Sequence, residues 1–252
     1  MLGIYDLNEC NNLNYKTRLK IYKSIGFTEV ALYLDDDFNK KNESYENIIY
    51  YCKKIGLSVK QVHLDYRNSN LICNSDTDEY FTYVSNRLNK AINFNIPFVV
   101  THASSGDTPP KLSQSQLKKF ANMMHSFDNK NVYLCIENVR NNYNLDKLLS
   151  LKLKNVAICY DLGHAHCYDN EYSLFEKYKS LIKCSHLHNN YGKDTHQPLN
   201  NGEIDCKYFI KKLEKINGIS NCLECFPPRD KKLNKSEFIE FIKQLYNYSQ
   251  KN

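Results

Sequence analysis

The sequence predicts an α/β fold, a single (β/α)8 barrel that spans residues 1–252 as one domain. Short runs of β-branched and aromatic residues alternate with amphipathic stretches, which is typical of βα units around a parallel sheet. Eight such pairs follow one another, and 252 residues are about the size of one TIM barrel. No low-complexity linker interrupts the alternation, so we expect no domain border.

Each predicted strand is a short run of apolar and β-branched residues that is bounded by polar or turn-forming segments. Parallel strands in such a barrel need a crossover between them, and helical stretches fill these gaps. In chain order, the predicted strands cover residues 2–6, 29–34, 58–64, 98–102, 133–137, 156–161, 182–188 and 220–224.

The stretches between the strands carry apolar residues every three or four positions, which predicts amphipathic helices. Several begin near Ser, Thr or Asp, whose side chains accept hydrogen bonds from the first amides of a helix. The clearest predicted helices cover residues 16–25, 45–55, 78–94, 113–127, 208–216 and 235–248.

The composition is that of a globular protein, with 42% hydrophobic and 25% charged residues. The net charge of +6 comes from scattered Lys and Arg without a long basic run, so no nucleic-acid arm is predicted. We expect a cytoplasmic protein with no membrane partner, because neither a signal peptide nor an apolar run of about 18 residues is evident. The ten cysteines lack disulfide-scaffold spacing and are expected to be reduced thiols.

Metal-capable side chains lie at or near the C-terminal ends of six consecutive predicted strands, the third to the eighth. This end of a (β/α)8 barrel carries the active site. Random placement would put such residues on helices and loops as often as on strand ends, so the pattern predicts a metal site. The six residues are His63, His102, Glu137, Asp161, His186 and Glu224.

Strand geometry predicts that these side chains point into the barrel, because residues two apart share one face of a strand. In the fifth strand, Glu137 shares its side with Cys135, while the residues between them face the helices. The same alternation turns Asp161, His102 and His63 toward the barrel axis.

Cysteine stands two positions before four of the strand-end residues, at Cys135, Cys159, Cys184 and Cys222. These thiols should lie in the barrel just beneath the metal-capable layer. Two interpretations are open: the thiols fill a crowded interior as small apolar groups, or a thiolate completes or alters the metal site. The first is favoured.

Further candidates lie in the loops on the same rim, namely His164, His188, Asp194 and His196. A single loop histidine is usually a solvated side chain. Several at one rim reinforce each other, and we therefore retain all four as site residues.

These motifs resemble those of the xylose-isomerase-like barrels, a superfamily of sugar isomerases and epimerases that also includes the class IV apurinic endonucleases. The resemblance covers nearly the whole chain. It rests on Ile-Glu-Asn at 136–138, Tyr-Asp-Leu-Gly-His at 160–164, Ser-His-Leu-His-Asn-Asn at 185–190, Asp-Thr-His-Gln-Pro at 194–198, Gly-Glu-Ile-Asp at 202–205 and Leu-Glu at 223–224.

The resemblance implies, as the leading hypothesis, a metal-dependent isomerase or epimerase of a small sugar or sugar phosphate. Glu137 and Glu224 would act as the catalytic pair on opposite faces of the substrate. One would remove the proton alpha to a carbonyl, a divalent ion (Mn, Co, Mg or Zn) would stabilise the enediolate, and the other would return the proton. The implied metal ligands are Glu137, Asp161, His186 and Glu224.

Substrate contacts are expected from the histidines around this core and from cations in the loops. The histidines are His63, His102, His164 and His188. Arg67, Arg140, Lys193 and Arg229 follow predicted strands and could bind a phosphate, with Arg140 and Lys193 preferred.

The endonuclease branch implies an alternative, a phosphodiesterase that acts on abasic DNA with three zinc ions and a metal-activated hydroxide. An acidic loop at residues 35–37 argues against a DNA partner, since a phosphate backbone requires cations. The chain nevertheless has a residue at every matching ligand position: His63, His102, Glu137, Asp161, His164, His186, Asp194, His196 and Glu224, of which His63, His102, His164, Asp194 and His196 would be the additional ligands.

A third hypothesis is a barrel that binds a sugar without turnover. The intact pair Glu137 and Glu224 argues against it. Barrels of this type often pair, so a homo-oligomer is expected by analogy alone.

Overall fold

The computed structural model describes residues 2–35, 43–74, 76–169, 172–228 and 231–250. Eight parallel strands form a closed barrel, each paired with its neighbour in the chain and the last with the first. This confirms the predicted (β/α)8 architecture. The strands are β1 Gly3–Tyr5, β2 Val30–Tyr33, β3 Gln61–His63, β4 Phe98–His102, β5 Tyr133–Glu137, β6 Val156–Asp161, β7 Ile182–Leu187 and β8 Ser220–Leu223.

Helices cover the outside of the barrel and connect successive strands. All six helices predicted from periodicity are present, with ends shifted by up to a few residues. The helices are α1 Tyr15–Ile25, α2 Tyr45–Lys54, α3 Glu79–Phe94, α4 Gln114–His125, α5 Tyr143–Ser150, α6 Leu162–Tyr168, α7 Ser173–Tyr178, α8 Cys206–Leu213 and α9 Lys235–Gln250, with short 3-10 segments at Asn8–Cys10, Tyr66–Cys73 and Lys179–Leu181.

The fourth, fifth and sixth strands end where the sequence predicts, whereas the third is shorter. It was expected to start at Ser58 and instead starts at Gln61. Ser58 makes only an isolated bridge to Glu29, so continuous pairing begins three residues later. In β7 and β8, pairing stops one residue before the predicted end, and His188 and Glu224 lie directly after their strands.

Side chains alternate between the barrel interior and the helix layer as predicted. One interior cluster contains Cys135, Cys159 and Cys184 together with Phe98, Val100 and Ala157. The larger core lies between sheet and helices and takes the intervening residues of the same strands. Since the register pairs Glu137 with His102 and Cys159, and Asp161 with His186, the metal-capable residues end at nearly one level.

A buried ion network holds α1 to the end of β1. The Arg18 guanidinium donates to both carboxylate oxygens of Asp6, at 2.8 Å each, and to Glu43 Oε2 at 3.1 Å. Arg18 is fully buried, and Tyr22 Oη also donates to Asp6. The network therefore fixes the first βα unit and the segment before α2 around a compensated charge.

The described cysteines are free thiols. None of the helices within the described ranges has the length and apolarity needed to cross a lipid bilayer.

Candidate metal centre

Glu137 lies at the middle of the C-terminal face of the barrel and contacts four histidines. Its Oε2 is 3.0 Å from His63 Nε2, 3.4 Å from His102 Nε2 and 3.3 Å from His186 Nδ1. Its other oxygen, Oε1, is 3.2 Å from His164 Nδ1. The residues predicted from strands three, four, five and seven thus converge on one carboxylate.

Four buried residues form what we call the inner group: Glu137, Asp161, His186 and Glu224. One donor atom of each lies within 4.8 Å of the others. His186 Nδ1 is 3.0 Å from Glu224 Oε2, opposite its contact with Glu137. The structure therefore brings together the four side chains that the sequence predicts as core ligands.

Two further groups made up of histidine and carboxylate side chains adjoin the inner group, each with its donor atoms within 4.8 Å of one another. The His63 group consists of His63, His102 and Glu137, and shares Glu137 with the inner group. The Asp194 group consists of His164, His188, Asp194 and His196.

In the Asp194 group, the carboxylate of Asp194 lies between two histidines, 3.4 Å from His164 Nε2 and 3.1 Å from His196 Nε2. The His188 ring stacks on that of His196 at a centroid distance of 3.9 Å. His188 Nε2 is 3.1 Å from Asp161 Oδ1, and the side chain is fully buried. The sequence predicts a substrate contact for His188, which stays a prediction, and does not include His188 among the candidate metal ligands, to which its place in this group adds it.

Five buried polar atoms at this centre have no hydrogen-bond partner among the described residues. A buried polar atom left unpaired costs about 1–3 kcal/mol, so a cluster of them requires an explanation. Imidazole nitrogens and carboxylate oxygens are the donor set of a divalent transition ion, and the residues therefore fit one. The atoms are Asp161 Oδ2, His186 Nδ1, His188 Nε2, Asp194 Oδ1 and Glu224 Oε2.

Backbone carbonyl oxygens accept a hydrogen bond from Nδ1 of three site histidines and so fix the orientation of each ring. A carbonyl oxygen only accepts, so Nδ1 of each ring donates a proton to it and Nε2 is the nitrogen turned toward the carboxylates of the centre. Metal-binding histidines are commonly oriented through the other ring nitrogen in this way. The contacts are His63 Nδ1 to Leu64 O at 2.6 Å, His164 Nδ1 to Asn138 O at 2.9 Å and His196 Nδ1 to Glu224 O at 3.0 Å.

Asp161 owes its position to the start of α6. Its Oδ1 accepts a hydrogen bond from the His164 amide at 2.6 Å and so caps the helix. Its own backbone N–H donates to Asn138 Oδ1, and Asn138 Nδ2 donates to the Asp161 carbonyl. This cap is the physical reason for the spacing of Asp161 and His164, because it places both at one helix start.

The carboxylates dominate the electrostatics of the centre. Burial opposes charge on His186, but Glu224 and Glu137 outweigh it and raise the pKa of His186 well above its usual value. Burial also opposes charge on His164, but neighbouring carboxylates, Asp161 above all, outweigh it and raise the pKa of His164 well above its usual value. Burial would raise the pKa of Glu137, but the neighbouring histidines hold it well below its usual range. A divalent cation would therefore replace protons held by the histidines.

The thiols beneath the centre pack as the favoured interpretation predicts, among apolar interior residues. Burial raises the pKa of Cys135, Cys159 and Cys184 well above that of a free thiol. Cys159 also lies within 4.8 Å of donor atoms of Glu137 and His186.

Two of the four rim cations, Arg67 and Arg140, are held by side-chain partners. Arg67 donates to the Asp65 carboxylate at 2.7 Å, and Arg140 stacks on the Tyr168 ring and pairs with Asp107. Lys193 lies exposed in the loop before Asp194. Arg229 lies outside the described residues, and contacts of any of these cations with a substrate stay predictions.

The sequence predicts an acidic cluster at residues 35–37 at the mouth of the barrel. For Asp35 this prediction is wrong. Asp35 is buried and accepts hydrogen bonds from Tyr83 Oη at 2.5 Å and Arg87 Nε at 2.7 Å. Its charge is thus compensated instead of presented at the mouth. Asp36 and Asp37 lie outside the described residues.

Sequence reasoning also missed Tyr66, which is 45% exposed and stacks on His102 at a centroid distance of 6.0 Å. Its position three residues after His63 could have indicated that Tyr66 lies at the same rim of the barrel. His125 and His166, which the sequence did not assign to the site, lie outside the three groups: His125 pairs with Asp128, and His166 bonds Asn190.

A family model described as xylose isomerase-like TIM barrel matches residues 19–245. The fold is similar to that of an L-ribulose 3-epimerase, with a TM-score of 0.76 and 14% identity over 98% of this chain and 92% of that chain. A D-psicose 3-epimerase from Clostridium cellulolyticum H10 gives a TM-score of 0.74 and 11% identity, with 98% and 97% covered. A probable 3-DHS dehydratase from Bacillus anthracis gives 0.74 and 15%, with 100% and 99% covered. A comparison with curated protein sequences gives no match.

Proposed function

The chain belongs to the xylose isomerase-like TIM barrel family, and from this premise we propose that it is a metal-dependent isomerase or epimerase of a small sugar or sugar phosphate. One observation carries the proposal. Glu137 Oε2 and Glu224 Oε2 lie 3.3 and 3.0 Å from the same nitrogen, His186 Nδ1. Two carboxylates from the fifth and eighth strands therefore border one candidate metal site.

The paired glutamates suit proton transfer at a carbon next to a carbonyl. Although burial opposes their ionisation, His186 and other histidines lower the pKa of both Glu137 and Glu224, so each is anionic at neutral pH. One glutamate, as the carboxylate, removes the alpha proton. The other delivers a proton from the opposite side in its carboxylic acid form, so it takes up a proton from solvent before the transfer. The inner group would hold a divalent ion, which would polarise the carbonyl and stabilise the negative charge that develops. His63 and His102, which contact Glu137 Oε2, orient substrate oxygens.

The named activities of similar folds support a sugar substrate, since two are described as ketose 3-epimerases.

The test is solvent exchange of the alpha proton. The protein loaded with Mn, Co, Mg or Zn is incubated in deuterated water with a panel of aldoses, ketoses and their phosphates, and deuterium uptake is followed by NMR. Glu137→Gln and Glu224→Gln should each reduce exchange by about 10²–10⁴-fold. Glu203→Gln, at an exposed glutamate of the same rim, is the matched control. Exchange that survives both substitutions would refute the mechanism.

A second candidate function, phosphodiester hydrolysis on abasic DNA, is favoured by a different observation. All nine side chains expected for a three-zinc site fall into the inner, His63 and Asp194 groups. The buried and paired Asp35 also removes part of the argument against DNA.

Two measurements separate the candidates. Metal content near one ion per chain favours the isomerase, and three zinc ions favour the phosphodiesterase. An abasic duplex should be nicked in an EDTA-sensitive reaction only under the second candidate, and Asp194→Asn should abolish that nicking while leaving alpha-proton exchange intact. A duplex that stays whole at high protein concentration dismisses the phosphodiesterase.

A further inference from the structure

A chain of side-chain hydrogen bonds runs through the barrel interior to His186. Lys60 Nζ lies 3.1 Å from Glu29 Oε2, and the Ser220 hydroxyl donates to Glu29 Oε1. Gln61 Nε2 donates to Ser220 Oγ at 3.0 Å and to the Ser220 carbonyl at 3.2 Å. Gln61 Oε1 lies 3.1 Å from His186 Nε2. Apart from Lys60, all members are buried.

The donors and acceptors along this chain have only one consistent arrangement. The Ser220 carbonyl oxygen can only accept, so the Gln61 atom beside it must be the amide nitrogen. The oxygen of the same amide therefore faces His186. Because that oxygen also only accepts, His186 Nε2 must carry a proton. Nδ1 is then the nitrogen that would bind an ion.

His186 differs in this respect from the other oriented histidines. His63, His164 and His196 are each fixed at Nδ1 by a backbone carbonyl and present Nε2. His186 is fixed at Nε2 by a side chain and presents Nδ1, which lies 3.0 Å from Glu224 Oε2 and has no hydrogen-bond partner.

Gly3, at the start of β1, provides space for these hydrogen-bonded side chains. A Cβ at Gly3 would lie 3.2 Å from Glu29 Cβ and 3.2 Å from Cys222 Sγ, tighter than ordinary contact. The absence of a side chain in β1 lets the Glu29 side chain pass inward.

We propose that Gln61 is a positioning residue that fixes the tautomer and ring orientation of His186, so that Nδ1 is delivered to the inner group, and that Ser220 and Glu29 fix the amide of Gln61. The proposal rests on the metal-binding part of the proposed function. It does not depend on which substrate is turned over.

The first experiment needs no substitution. Protein labelled with ¹⁵N in the histidine rings is loaded with Zn²⁺, and the His186 signals are assigned by their loss in His186→Asn. The expected result is a protonated Nε2 and a zinc-bound Nδ1. A protonated Nδ1 on His186 would overturn the proposal, and lack of sugar turnover would leave it unaffected.

The second experiment measures Zn²⁺ affinity by chelator competition. Gln61→Met keeps the length of the side chain but removes the acceptor, and should weaken binding by about 10–100-fold with mixed His186 tautomers. Ser220→Ala keeps the carbonyl and should weaken binding less. Val100→Ala disturbs the packing of the apolar cluster in the same interior, removes none of the hydrogen bonds described above and should leave both readouts unchanged. If Val100→Ala matches Gln61→Met, the effect is packing and the proposal fails.

Discussion

Gly163 packs directly against the ring of His188. A Cβ at this position would lie 1.9 Å from His188 Cε1 and 2.2 Å from Nδ1, closer than atoms can approach. The ring cannot move freely because it also stacks on His196 and faces Asp161. The motif that places glycine before His164 therefore has a packing reason.

Gly163→Ala should destabilise the protein by about 1–3 kcal/mol, the usual cost of overpacking a buried site. Urea denaturation measures the free energy of unfolding, and histidine NMR should show a displaced His188. Cys167→Ala, in the same short helix, is the control and should change stability by well under 1 kcal/mol. Equal effects of the two changes would contradict the packing argument.

The buried thiols predict a loss of stability at alkaline pH. Burial raises the pKa of Cys135, Cys159 and Cys184 in the folded protein, whereas a thiol in the unfolded chain has a pKa of about 8.5. Above that pH the unfolded chain releases protons that the folded protein retains, so unfolding becomes more favourable. The thiol contribution is fully present below about pH 8 and falls as the pH rises.

Urea denaturation between pH 7 and 10 tests this effect. Replacement of the three thiols by alanine should flatten the decline relative to the unaltered chain, because lysines and tyrosines contribute equally to both. Parallel declines would mean that the thiols do not titrate on unfolding.

Sequence reasoning placed the site residues on the correct side of each strand because a period of two decides the facing side. It could not give the partner of each ring nitrogen, since Gln61 and Ser220 meet across the barrel from strands 159 residues apart. The contact between His188 and Asp161 also joins side chains from different strand ends, and it was not predicted.

At the scale of elements, the first βα unit depends on Arg18. Removing one partner from a buried ion network leaves an uncompensated charge and typically costs about 3–5 kcal/mol. Arg18→Met should therefore destabilise the protein by that amount through Asp6 and Glu43. Lys20→Met, on the exposed face of the same helix, should change the unfolding free energy by less than about 0.5 kcal/mol. A tolerated Arg18→Met would show that the network does not anchor α1.

Elements were predictable where their pattern is long enough to repeat. Five of the six predicted helices span ten residues or more, whereas α5, α6 and α7, which were not among the six, span only eight, seven and six residues and show too few turns for a period to be read. The helix α6 is also specified by the Asp161 cap, and at the sequence level Asp161 was interpreted as a metal ligand only.

For the molecule as a whole, the candidate metal centre draws residues from strands β3 to β7 and from the position directly after β8. An ion that binds only the folded state adds about 2.7 kcal/mol at a free concentration of 100 times its Kd. Zn²⁺ should therefore raise the midpoint of thermal unfolding, and EDTA should reverse the change. Asp161→Asn should reduce the increase, whereas His125→Ala, outside the three groups, should retain it. An unfolding midpoint that does not respond to any divalent ion would argue against a metal centre.

The closed barrel was predictable because eight alternating units leave few other architectures for 252 residues. Oligomeric state has no comparable signal in the chain, and a homo-oligomer stays a prediction.

Glu137 belongs to both the inner group and the His63 group, whereas the Asp194 group shares no residue with either. Two ions that draw on one carboxylate are thermodynamically linked, and each must change the affinity of the other by the same factor. A metal titration should then deviate from independent binding for those two positions. Cooperative loading of those two positions would thus depend on a single shared side chain.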